Sequence, residues 1–147
     1  MIKFRSPAFE PGGRIPKKYS GEGEDVSPPL SWQDLPKGTQ ELALICEDPD
    51  AKPIPWIHWV VYGIPPDRDS LPEGSAERAK EGRNSSEKIG YKGPMPPPGD
   101  GIHRYLFKIY ALSKTLDLEP GAKEIDLLRE MDGHFLGKGE FVGTYER

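Results

Sequence analysis

His103-Arg104-Tyr105-Leu106-Phe107-Lys108-Ile109-Tyr110-Ala111-Leu112 is the most legible segment of this chain. His103, Tyr105, Phe107, Ile109 and Ala111 share one parity, and Arg104, Leu106, Lys108 and Tyr110 share the other. Side chains alternate between the two faces of a strand, so the segment predicts a strand with its first set turned toward a core. Two other apolar runs, Leu42 to Cys46 and Trp56 to Ile64, carry β-branched and aromatic residues on both parities and predict strands buried on both faces. Phe141 to Tyr145 reads as a terminal strand, and Ile2 to Phe4 as an edge strand at the other end.

Helical spacing is confined to Lys123 to Met131, where Ile125, Leu127, Leu128 and Met131 predict a short helix docked on a sheet and Gly133 its C-terminal stop. Pro65 to Gly90 is poor in apolar residues beyond Leu71 and Ile89, and predicts an excursion with at most one helical turn around Ser75 to Lys80. Short strands, Gly- and Pro-rich connections and little helix give an all-β fold, mainly an antiparallel β-sandwich with one or two short peripheral helices. At 147 residues the chain fits a single domain spanning 1–147, large enough to bury its own core.

A formal charge of −4 and the absence of a basic stripe interleaved with aromatics argue against a nucleic-acid partner. No apolar stretch is long enough for a signal peptide or a membrane span, which predicts a cytoplasmic protein. The single cysteine, Cys46, excludes an internal disulfide framework and reads as a small core residue. The many Lys and Glu, with prolines placed in connecting segments, resemble a heat-adapted composition.

Two stretches carry the chemistry. Asp48-Pro49-Asp50-Ala51 is followed by Trp56-Ile57-His58-Trp59, and a Gly-Pro-rich loop ending near Pro97 is followed by His103-Arg104-Tyr105. Asp and Pro at a strand end favour a turn, and Asp48, nearer the strand, is the carboxylate better placed to aim into a cavity. His58 projects to the same side as Trp56 if the strand is regular. A lone histidine on an apolar strand is usually a satisfied core residue, but here the arrangement occurs twice. An imidazolium offers two donors and a charge suited to phosphate or carboxylate, so His58 and His103 are expected to donate to an anion, with Tyr105 completing the site. A nearby carboxylate would favour the protonated ring and so predicts tighter anion binding at mildly acidic pH.

The histidine spacing does not fit a metal site, and the chain shows no nucleophile elbow and no phosphate loop. No cofactor, no metal and no catalytic residue are therefore expected. His134 reads as a partner of the helix C-terminal carbonyls, and Arg104 as half of a structural ion pair on the opposite face from His103.

Taken in order, Ser27-Pro28-Pro29-Leu30-Ser31-Trp32, Asp48-Pro49-Asp50-Ala51, His58-Trp59 with Ile64-Pro65, Gly90-Tyr91 with Gly93-Pro94, His103-Arg104-Tyr105 and Gly143 to Arg147 span nearly the whole chain. This set resembles the phosphatidylethanolamine-binding protein family, and within it the short prokaryotic, Raf kinase inhibitor-like branch. The resemblance implies a β-sandwich with a small cavity for phosphoryl or carboxylate groups, lined by Asp48, Trp56, His58, Pro97, His103 and Tyr105. It implies a non-enzymatic protein that binds a small phosphorylated or carboxylate ligand and modulates a protein partner. The alternative it carries is a protease or kinase inhibitor acting through an exposed loop. A homodimer is expected on the resemblance alone. The family's Asp-Pro-Asp-Ala-Pro is interrupted here, because Lys52 precedes Pro53, and the long C-terminal extension of eukaryotic members is missing.

Overall fold

The segment from His103 to Leu112 forms the spine of a five-stranded antiparallel sheet. In the computed structural model, which describes residues 1–147, the strands are β1 (Lys3–Arg5), β2 (Leu30–Gln33), β3 (Glu41–Asp48), β4 (Trp56–Ile64), β5 (Ser70–Leu71), β6 (Lys80–Glu81), β7 (His103–Leu112) and β8 (Phe135–Tyr145), with helix α1 (Glu124–Met131) between the last two. The large sheet has the order β6-β4-β3-β7-β8 and the small one β1-β2-β5. A single turn of 3-10 helix covers Lys17–Tyr19.

Alternation along β7 holds as expected, with His103, Tyr105, Phe107, Ile109 and Ala111 all buried. Tyr105, Phe107 and Ile109 join Leu44 and Cys46 of β3, Trp59 and Val61 of β4 and Phe141 of β8 on one face of the large sheet. That face packs against Phe4, Leu30, Trp32 and Leu71 of the small sheet, which makes the sandwich. Phe107 and Phe141 are register partners and their rings stack at 4.8 Å between centroids. The opposite face is also buried. Ala43, Ile45, Val60, Tyr62 and Leu112 form a smaller core with Leu127 and Met131 of α1, so the apolar runs of β3 and β4 need apolar residues on both parities.

One expectation is met at its lower bound and two need correction. The excursion from Pro65 to Gly90, expected to hold at most one helical turn, holds none and contributes the two-residue strands β5 and β6. Strands this short have no period to read, and β6 is fixed by a side chain, because the Trp59 indole N–H donates to the Glu81 carboxylate at 2.7 Å. Helix α1 buries Leu127 and Met131, four residues apart on one stripe, but leaves Ile125 and Leu128 exposed. Strand β8 starts at Phe135 rather than Phe141, its first residues lying mostly exposed and rich in glycine. The peptide N–H of His134 donates to the Met131 carbonyl at 2.9 Å, so His134 closes the helix through its backbone.

The outer edge of β8 is covered by the first residues of the chain. Ile2 N–H donates to Lys138 O, Gly12 N–H to Val142 O and Ile15 N–H to Thr144 O, and Thr144 N–H donates back to Gly13 O. An edge that would otherwise offer unpaired backbone groups is thereby blocked.

Connections on the helix side are tied down by a buried carboxylate. Glu41 accepts from the Gly63 and Leu116 N–H groups, both at 2.9 Å. Glu41→Ala strands two half-buried donors and is expected to cost about 1–3 kcal/mol in urea unfolding, with Glu41→Gln recovering part of the loss.

Candidate functional site

Asp48 ends β3 with its Cα opposite Trp56 at the start of β4. Between them the ladder is irregular: Cys46 pairs with Trp59 but Glu47 pairs with Ile57, which leaves His58 as the extra residue of a β-bulge. Regular alternation from Trp59 would send His58 to the Val60 face, under α1. The bulge instead turns it toward Tyr105, whose ring it meets edge-on at 5.2 Å between centroids.

On the other side of the cavity, Tyr91 to Pro97 is pinned to the loop from Tyr19 to Asp25. The Tyr91 hydroxyl donates to Tyr19 O at 2.6 Å and the Gly93 N–H to Asp25 Oδ1 at 2.7 Å. Only glycine fits at 93, because a Cβ there would lie 2.2 Å from Tyr19 O. This anchoring presents the Lys92 carbonyl to His58 Nδ1, while the Lys92 N–H donates back to His58 O at 3.0 Å. A carbonyl only accepts, so the His58 proton sits on Nδ1 and the lone pair on Nε2. Burial pushes the His58 pKa down, against the Lys92 carbonyl and the Asp48 charge, so this ring is neutral.

His103 is arranged differently. Its Nδ1 lies 2.6 Å from Asp48 Oδ2 and its Nε2 lies 2.6 Å from Asp100 Oδ2. A neutral imidazole has one N–H, and both nitrogens face carboxylate oxygens, so the ring is an imidazolium. Burial works against that charge, but the hydrogen bonds to Asp48 and Asp100 outweigh it and raise the pKa. The pair is asymmetric: the Asp48 side chain is 4% exposed, whereas that of Asp100 is 48% exposed. Burial, then the Asp48 charge, pushes the Tyr105 phenol far up and keeps it protonated.

Asp48, Trp56, His58, Pro97, His103 and Tyr105 line one cavity of about 470 Å³. Trp56 and Pro97 are exposed and stand at its mouth. The structure corrects the expectation that both histidines offer free donors. His58 presents a lone pair, and both His103 nitrogens are engaged. The residue missed was Asp100, three positions before His103 in a Pro-Gly-Asp-Gly stretch that reads as a turn. Lys52 and Lys92 also line the cavity; Lys92 pairs with Asp25 at 3.1 Å, and Lys52 has no ion-pair partner.

Asp50 and Arg104 lie outside it. The Arg104 guanidinium and its peptide N–H both bond Asp50, holding that carboxyl down at about 2, and Asp50 N–H donates to Asp48 Oδ1 at 2.8 Å. Asp50 thus orients Asp48 from behind. Cys46 is buried, and burial pushes its thiol pKa well up.

Compared with known proteins, the sequence matches the model of the phosphatidylethanolamine-binding protein family over residues 5–146. The chain belongs to that family. A UPF0098 protein of Methanothermobacter thermautotrophicus is 45% identical over 99% of both chains, and one of Aquifex aeolicus is 43% identical over the whole of this chain and 90% of its own. Among solved structures, the phosphatidylethanolamine-binding protein homologue CT736 of Chlamydia trachomatis superposes with a TM-score of 0.94 at 44% identity, covering 99% of this chain and 97% of its own. E. coli YbcL, described as a member of the mammalian family, gives 0.92 at 28% identity, covering 99% and 98%. The antiparallel sandwich is therefore the phosphatidylethanolamine-binding protein fold, and no helix in it is long and apolar enough to cross a membrane.

Proposed function

We propose that this family member is a non-enzymatic binding protein whose cavity receives a phosphoryl or carboxylate group. The observation that carries the reading is the carboxylate already seated on His103 Nε2. A buried imidazolium, fixed from behind by Asp48, points its second N–H at an oxyanion supplied by the exposed Asp100 side chain. A ligand oxyanion entering the cavity would take the same donor. Lys52 and Lys92 on the lining add positive charge, and Trp56 and Pro97 give apolar walls for the group that bears the anion.

Catalysis is poorly served by the same residues. Ser86 lines the cavity, but its hydroxyl makes no hydrogen bond with either histidine, and the only thiol is buried with a raised pKa. The family name joins phosphate chemistry to this fold, which agrees with a phosphorylated headgroup as ligand.

The test is a titration of inorganic phosphate and a phosphomonoester into wild type and the His58→Ala and His103→Ala variants. His103→Ala is expected to weaken phosphate binding more than about tenfold, the scale of one charge-assisted hydrogen bond. In the wild type, affinity should fall as pH rises through the raised pKa of His103, because only the imidazolium donates from Nε2 while Nδ1 serves Asp48. Unchanged binding in both variants would refute the pocket.

A further inference from the structure

The turn that carries Asp100 is built differently from the rest of the cavity wall. Asp100 N–H donates to Pro97 O at 3.1 Å, and the turn is flanked by Gly99 and Gly101 with φ of 78° and 84°. A Cβ at either glycine would meet nothing within 4 Å. One end is tethered, since Gly99 N–H donates to Arg147 O at 3.0 Å and Arg147 Nε to Pro96 O at 2.7 Å. The Asp100 carboxylate is half exposed, yet it reaches inward to an imidazolium whose own side chain is 5% exposed. A buried cation is thus partnered on one side by a fixed internal carboxylate and on the other by a carboxylate at the solvent boundary, with open space around its turn.

We propose that Asp100 is an internal competitor of the pocket: its carboxylate occupies the position of the ligand oxyanion on His103, so that an anion binds there only by displacing it. The inference rests on the anion reading of the pocket. Exchanging Asp100 for a free carboxylate swaps one like acceptor for another, and the tethered group competes at an effective concentration in the millimolar range or above. A monocarboxylate gains nothing to offset that advantage. A phosphomonoester dianion brings a second charge and further oxygens, and meets not only the imidazolium but the cationic side of the cavity, where Lys52 has no ion-pair partner. The other charged and titratable groups around the imidazolium are already committed. Asp48 is bonded to Nδ1, Asp50 to Arg104, and His58 to the Lys92 carbonyl, while Tyr105 is held protonated.

The test follows the ring signals of His58 and His103 by NMR in the full-length chain at pH 7.5, with inorganic phosphate and with acetate as probes. It compares wild type with Asp100→Ala and Asp100→Asn; the site of change is a surface turn, Asp48 still bonds Nδ1 in both variants, and the ring signals report the protonation of His103. Wild type should bind phosphate in preference to acetate, and loss of the Asp100 charge should tighten both anions by about tenfold. In wild type, phosphate should also move the Gly99 and Gly101 amide signals as the carboxylate leaves Nε2. Unchanged affinities in the variants, with both anions still bound at His103, would overturn the role of Asp100 and leave the pocket standing. Failure of either anion to perturb the two rings in any of the proteins would overturn both.

Discussion

Asp48→Ala is expected to lower stability by about 3 kcal/mol in urea unfolding at pH 6, and to abolish phosphate binding with it. The figure sits at the low end of the range for breaking a buried ion pair, because Asp100 remains on the other nitrogen and the ring can shed its proton. Three things go at once: the Nδ1 partner of His103, the acceptor for the Asp50 N–H, and the charge that keeps the imidazole cationic. The pH dependence has a definite sign. The folded-state pKa of His103 is raised, so its contribution is fully present below about 6.5 and is lost as pH rises through the folded value. The gap between wild type and Asp48→Ala should therefore narrow on the alkaline side. His58 works in reverse: its depressed pKa contributes stability above about 6.5 that is lost as pH falls. Asp48→Asn, which can still accept from Asp50, separates the turn from the ion pair, and a gap that widens at high pH would contradict the imidazolium assignment.

Phe107→Ala should be the most damaging single truncation in the main core, at about 3–5 kcal/mol and a fall in Tm of roughly 10 °C or more. Phe107 is fully buried, stacks on Phe141 at 4.8 Å, and lies 6.1 Å from the Phe9 ring, which itself approaches Phe141. Removing it leaves a void that three neighbouring strands cannot close without shifting the ladder from β3 to β8. A loss below about 1.5 kcal/mol in calorimetry would mean that the sandwich collapses around the gap.

How much of this could be read in advance depended on whether a residue's role was written into a period. The inward set of β7 was visible because two-residue alternation with aromatic and β-branched residues is a strong pattern over ten positions. The two-sided burial of β3 and β4 was visible for the same reason. What lacked a period was missed: β5 and β6 are held by Leu71 under the small sheet and by Glu81 bonded to an indole, and neither contact has a local signature. At α1, spacing alone could not tell which of four apolar residues faced the sheet.

The six pocket residues were legible as residue types at matching motifs, but their states were not. The aim of His58 depends on a bulge that exists only in the pairing of two strands. Its tautomer depends on the Lys92 carbonyl, and that carbonyl is positioned by contacts from Gly93 and Tyr91 to a loop some seventy residues earlier. Asp100 was hidden by its setting, since an aspartate between two glycines reads as turn chemistry until the ring three residues on is found beside it.

The seam between residues 2–15 and β8 bears on how the protein is made. On a ribosome the first residues emerge long before residues 138–144 exist to receive them, so the edge they are destined to cover has not yet been synthesised. During elongation β3, β4 and β7 can pair among themselves and β1 can pair with β2, but the side of residues 2–15 that bonds β8 has to wait until residues 138–144 follow. Closure of this seam is consequently a late, long-range event, and the face of Phe4 that meets Phe141 stays uncovered until β8 follows.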